Sequence, residues 1–154
     1  MRRIDEETLM GFETYLHMQE GTPLTNLLNA FSFLKSKLGK GAWVGVYLYD
    51  ETKKALVLGP FIGTPACLKI LPSRGVCGAC YSEKKEIYVP DVHQFPGHIA
   101  CDASSLSEYV NYLCVNGKEI VFDVDSDELD GLKDDVPGLR QITKRLEKAA
   151  YFAA

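Results

Sequence analysis

The dipeptide Asn116-Gly117 divides two alternating runs, Tyr109 to Val115 and Glu119 to Val124, and it constrains the fold more tightly than any other short stretch of the chain. Asn and Gly both accept positive φ, which a two-residue hairpin of type I′ requires at its central positions. The two runs are therefore expected to pair antiparallel. A second hairpin is expected upstream, where AWVGVYLYD and ALVLG flank the polar turn residues Glu51 to Lys54.

Helices bracket these strands. Thr22 is placed to cap a helix with Pro23 in its first position, and Leu24, Leu27, Leu28, Phe31, Leu34 and Leu38 then recur at helical spacing until Gly39. An earlier helix, approximately Asp5 to Gln19, carries Leu9, Phe12 and Leu16 on one side. Leu139, Ile142, Leu146 and Ala149 define a face of a last helix starting near Pro137. Between the hairpins, CLKILPSRGVCGACYSEKKEIYVPD reads as a short strand, a Pro/Gly turn, a short helix from about Gly75 and a strand at Glu86 to Val89. The expectation is an α/β (α+β) domain with a mostly antiparallel central sheet flanked by N- and C-terminal helices.

A chain of 154 residues with 46% hydrophobic and 25% charged residues is large enough to bury one core. A single domain over 1–154 is expected, without an internal repeat. The formal net charge is −4, and the 17 Lys and Arg are scattered, which argues against a nucleic-acid partner. The N-terminal MRRIDEETLM passes directly from basic to acidic residues, unlike a signal peptide, and no apolar run is long enough to span a bilayer. The protein is expected to be cytoplasmic and not membrane-bound. Five cysteines in a reducing compartment point to catalysis, metal binding or simple burial rather than to a structural disulfide framework.

The segment PDVHQFPGHIACD, Pro90 to Asp102, is irregular by its Pro and Gly content, yet Val92, Phe95 and Ile99 offer apolar anchors. It carries His93, His98 and Cys101. Cys67 follows GPFIGTPA at a strand edge, and Cys77 sits in the turn GVCG. A single free cysteine is most often a small buried hydrophobe. Three framed by glycine and proline suggest chemistry, since glycine lets a substrate or another sulfur approach closely. A zinc site is the competing possibility: Cys77-Gly-Ala-Cys80 has half-site spacing, with His93, His98 and Cys101 to complete it. A second CxxC is absent and Cys80 falls where a helix would turn it to the core, so no metal or other cofactor is expected.

Glu108 opens one strand of the Asn116-Gly117 hairpin, and Asp123 and Asp125 close the other on one shared face. The open ends of a hairpin meet, so three carboxylates gather in one region, with Ile120, Phe122 and Val124 on the opposite face. Solvated strand-end acids would look the same. Crowded carboxylates raise one another's pKa, which keeps one protonated as a hydrogen-bond donor. A register slip of one residue would turn an acid away from the others.

LVLGPFIGTPAC, GVCG, VPDVHQFPGHIACD, SE and FDVDS together resemble the GAF-domain free methionine-(R)-sulfoxide reductases, over Asn26 to Ser126. The resemblance implies a GAF domain that encloses free methionine sulfoxide under its loops and reduces it with cysteine thiols. It further implies Cys101 as nucleophile, Cys67 as the main resolving cysteine and Cys77 as a third cysteine that relays the disulfide. Glu108, Asp123 and Asp125 match the family's substrate-binding acids, while Trp43 and Tyr47 match aromatic positions around the substrate methyl group. His93 and His98 shape the loop, and Cys80 and Cys114 are extra to the pattern. A thioredoxin-type reductant is implied as partner, and the end helices are candidates for a homodimer contact. The alternative from another class is a non-catalytic GAF module that binds a small ligand.

Overall fold

The computed structural model describes residues 1–98, 101 and 104–153. Ile99 and Asp102, named above as an anchor and a motif residue, lie outside the described residues. Six strands form one sheet in the order β3-β2-β1-β6-β5-β4, and every neighbouring pair is antiparallel. The strands are β1 (Trp43–Asp50), β2 (Ala55–Ile62), β3 (Lys69–Ile70), β4 (Ile87–Val89), β5 (Ser107–Val115) and β6 (Lys118–Ser126).

The β5–β6 hairpin keeps one register along its whole length, from Val115 opposite Lys118 to Ser107 opposite Ser126. Asn116 and Gly117 turn at φ of 50° and 81°, as a type I′ turn requires. Pairing of β6 with β1 is equally regular. The upstream hairpin departs from expectation, because its second strand starts at Ala55 as expected but runs past ALVLG to Ile62 and includes Pro60. A bulge accommodates it: Gly45 faces Phe61 and Tyr47 faces Leu58, so β2 carries an extra residue opposite Val46. Pro within a sheet is tolerated at such a bulge, where a ladder donor is not needed.

The two faces of the sheet bury different things. Val44, Val46, Ile120, Phe122, Val124, Tyr109 and Leu113 pack beneath α1 (Glu6–Leu16), α2 (Pro23–Leu38) and α4 (Val136–Leu146). Asp5 caps α1 by accepting from the Thr8 N–H, and Thr22 with Thr25 forms a capping box on α2. α2 buries Leu27, Phe31, Leu34 and Leu38, whereas Leu24 in its first turn stays exposed. α1 ends at Leu16, short of the expected Gln19. The last helix stops at Leu146, and buried Ala149 instead precedes the short α5 (Ala150–Ala153).

The other face carries α3 (Gly75–Glu83) and the long loops, over a smaller cluster that includes Trp43, Tyr47, Val76, Cys77, Cys80, Val92 and Val121. Val92 anchors the loop from Pro90: its side chain is buried and its N–H donates to the Leu106 carbonyl at 2.9 Å.

A polar clasp joins the chain's N-terminal residues to the start of α4. The Asp135 carboxylate, 1% exposed, accepts from the backbone N–H groups of Arg3 and Ile4 at 2.6 and 3.0 Å and from Arg3 Nε at 2.8 Å. Replacing Asp135 with alanine leaves the buried Ile4 N–H without its partner. The expected cost is about 2–3 kcal/mol of folding stability, read as a lower urea midpoint with unchanged slope.

Candidate active site

Strand register assembles the site. Trp43 on β1, Asp125 on β6 and Glu108 on β5 lie opposite one another in one row across three strands. In the next row Gly45 faces Asp123, which faces Val110; in the third, Tyr47 faces Val121, which faces Tyr112. Because opposed residues share a face, both aromatics and all three acids point to the side covered by α3 and the loops. Ile120, Phe122 and Val124 occupy the other side, as expected.

Trp43 is held flat by missing side chains around it. A Cβ on Gly45 would sit 2.7 Å from the indole ring, and one on Gly63, at φ +146°, would sit 2.4 Å from it. The ring stacks on Phe61 at 5.1 Å between centroids and its Nε1 donates to the Thr64 carbonyl at 2.9 Å. Tyr47 donates from its hydroxyl to the Cys67 carbonyl at 3.0 Å. Burial first, then the charge of Asp123, pushes the Tyr47 phenol far up, so it remains a donor. The two aromatics thus also hold the loop that carries Cys67.

One cavity is lined by Trp43, Tyr47, Cys77, Cys101, Glu108, Asp123 and Asp125. Cys67 is tied to its wall through a disulfide to Cys101, with Cα atoms 5.2 Å apart, and lies in the loop before β3 rather than on a strand edge. Cys77 belongs to the first turn of α3, not to a turn between elements, and its Sγ donates to Glu108 Oε2 at 3.7 Å. Burial, reinforced by the charges of Asp123 and Glu108, holds the Cys77 thiol well above the usual cysteine range. It therefore stays protonated in the resting site.

Asp123 is 4% exposed, and its Oδ1 has no hydrogen-bond donor. Desolvation first, and then the neighbouring charges of Asp125 and Glu108, raises its carboxyl well above the ordinary aspartate value. A protonated carboxylic acid inside a cavity is both a hydrogen-bond donor and a proton source.

The zinc set considered from spacing is not brought together. Cys101 is engaged in the disulfide, His93 is exposed beside Asp91, and Cys80 is fully buried with its thiol pushed up to about 12, chiefly by desolvation. His98 does reach the cavity. Arg74 and Ser105 also line it and were not anticipated. The signal for Arg74 was its place directly before the glycine that opens α3, where it serves as an N-cap without a side-chain capping bond.

No family model matches the chain. Individual proteins do. The free methionine-R-sulfoxide reductase of Escherichia coli is 43% identical over 127 residues, 81% of this chain and 76% of that protein. The chain belongs to the free methionine-R-sulfoxide reductase family. The Saccharomyces cerevisiae reductase is 38% identical over 155 residues, covering 96% of this chain and 86% of its own. The free methionine-R-sulfoxide reductase of Neisseria meningitidis, solved in complex with its substrate, superposes with a TM-score of 0.85 at 36% identity, covering 96% of this chain and 88% of that one. The fold of this family member is the GAF fold. Among the described residues no helix is long and apolar enough to cross a membrane.

Proposed function

We infer that the protein reduces free L-methionine (R)-sulfoxide to methionine with its own cysteine thiols, as a single GAF domain over 1–154. The observation that carries this reading is the Cys67–Cys101 disulfide in the wall of a cavity that also holds three carboxylates and two aromatic rings. Cys101, as thiolate, attacks the sulfoxide sulfur. The sulfur–oxygen bond breaks, the oxygen passes to Cys101 as a sulfenic acid, and methionine leaves after one proton has been taken up. Asp123, kept protonated by burial, is placed to supply that proton; Glu108 and Asp125 hold the polar end of the substrate. Trp43 and Tyr47 enclose its methyl group.

The Cys67 thiol then condenses with the sulfenic acid, releasing water and forming the disulfide. A thioredoxin-type dithiol restores both thiols by exchange and is itself oxidised, with Cys77 available as a relay. Such a cycle suits the cytoplasm, where reducing dithiols are supplied.

Comparing free R, free S and N-acetylated, C-amidated methionine sulfoxide in a thioredoxin-coupled assay tests this reading. A site that pairs both charges of a free amino acid leaves buried polar groups unmatched when peptide bonds replace them. The blocked compound and the S epimer are expected to react roughly 10²–10⁴-fold more slowly than the free R epimer. Equal rates on all three would mean an open, unselective thiol.

A further inference from the structure

We propose that Cys77, Glu108 and Asp123 form a reversible binding site for a thiophilic divalent cation of the zinc type. One ligand atom from each lies within 4.8 Å of the other two, and all three residues are buried. They come from α3, β5 and β6, and the two strands are locked by an unbroken register. Zinc bonds of about 2.3 Å to sulfur and about 2.0 Å to oxygen, at tetrahedral angles, separate the two ligand atoms by about 3.5 Å. Cys77 Sγ and Glu108 Oε2 already stand 3.7 Å apart. Little movement is needed on that edge.

Asp123 supplies an independent indication. Asp123 lines the cavity and its buried Oδ1 has no hydrogen-bond partner, an unmatched polar atom that a cation would satisfy. Binding converts the Cys77 thiol to a thiolate and releases its proton, together with any proton held by Asp123, to solvent. One sulfur and two carboxylate oxygens favour zinc, cobalt or cadmium and disfavour magnesium and calcium, which take oxygen ligands. Three protein ligands leave a fourth position open toward the cavity. This set differs from the one centred on Cys77 and Cys80. Since Cys77 is free while Cys67 and Cys101 are joined, the site exists in the oxidised protein.

The cation would engage Glu108 and Asp123, which the reaction above uses to hold the substrate and to supply its proton, so the two exclude one another; that part alone rests on the proposed function. Cobalt titration of the oxidised protein, followed by absorption, is the test. One equivalent of Co²⁺ per chain is expected to produce a thiolate-to-cobalt charge-transfer band that Zn²⁺ abolishes and Mg²⁺ leaves intact. The band is lost in Cys77→Ser, weakened at least about tenfold in affinity in Asp123→Asn and retained in Cys114→Ser, with near-ultraviolet circular dichroism checking the fold of each. Free methionine sulfoxide bleaches it. No band at saturating cobalt, or a band that survives Cys77→Ser, overturns the site. A band insensitive to sulfoxide overturns the shared cavity. Methionine formation without any band removes the cation site and spares the reductase, whereas a band in a protein that forms no methionine does the reverse.

Discussion

Cys101→Ser is expected to abolish methionine release even in a single turnover, a loss on the order of 10⁴-fold or more, as for removal of a nucleophile that forms a covalent intermediate. Cys67→Ser is expected to release one methionine per chain and then stop. The difference follows from where the two sulfurs lie. Cys101 is on the cavity wall, while Cys67 meets it from the loop that Tyr47 holds by its carbonyl. Cys77 does not substitute for Cys101 in the attack, because burial and two nearby acids keep it a neutral thiol hydrogen-bonded to Glu108. In the stalled Cys67→Ser protein, Cys101 remains a sulfenic acid that a sulfenic-selective nucleophile will label. Single-turnover methionine analysis and mass spectrometry of the labelled peptide check both results. A normal burst from Cys101→Ser with none from Cys67→Ser would exchange the two roles.

Much of the site was legible because its geometry is a consequence of strand pairing. Asn116-Gly117 sets the turn, the turn sets the register, and the register places Glu108 opposite Asp125 with Asp123 two residues along the same face. For the acids these are local rules acting on neighbouring strands, so inspection of residue types suffices. Trp43 and Tyr47 are expected at the pocket only from the family resemblance, and side-chain alternation on β1 brings them to that face.

Other parts depended on information that local patterns do not hold. The short helix expected from about Gly75 forms as α3 although two glycines weaken its helix propensity, but no apolar period announces that Val76 and Cys77 pack on the small second core. Tertiary burial of Val76, Cys77 and Cys80 outweighs the backbone preference. Asp135 follows Asp134 with no pattern that sets it apart. Its partners Arg3 and Ile4 are more than 130 positions away, and no periodicity announces such a clasp. The tether from Tyr47 to the Cys67 carbonyl is equally nonlocal: the ring's place in the pocket could be anticipated, the task of its hydroxyl could not.

Asp123→Asn is expected to separate stability from activity in opposite directions. Asp123 is the buried carboxyl whose pKa is raised, first by desolvation and then by Asp125 and Glu108. In the folded state it holds its proton to a higher pH than in the unfolded chain. Its contribution to stability is therefore fully present below the unfolded value near 3.8, and is lost progressively as pH rises through the folded value. Asparagine has the same shape and no such loss, and its amide can donate to the adjacent acids. The variant should match the parent in acid and gain about 1–2 kcal/mol by the time Asp123 is fully ionised, seen as a melting temperature higher by about 3–6 °C. Turnover should fall by roughly 10²–10⁴-fold, because an amide cannot deliver a proton to the departing sulfoxide oxygen. The activity of the parent should correspondingly decline as pH rises through the raised carboxyl value, a limb missing from the residual activity of the variant. Thermal melts and single-turnover rates across a pH series measure both effects on the same samples. Asp123→Asn melting below the parent at alkaline pH would show that the carboxylate is compensated by a partner and is not a source of strain, and undiminished turnover would move the proton donor to Glu108 or Asp125.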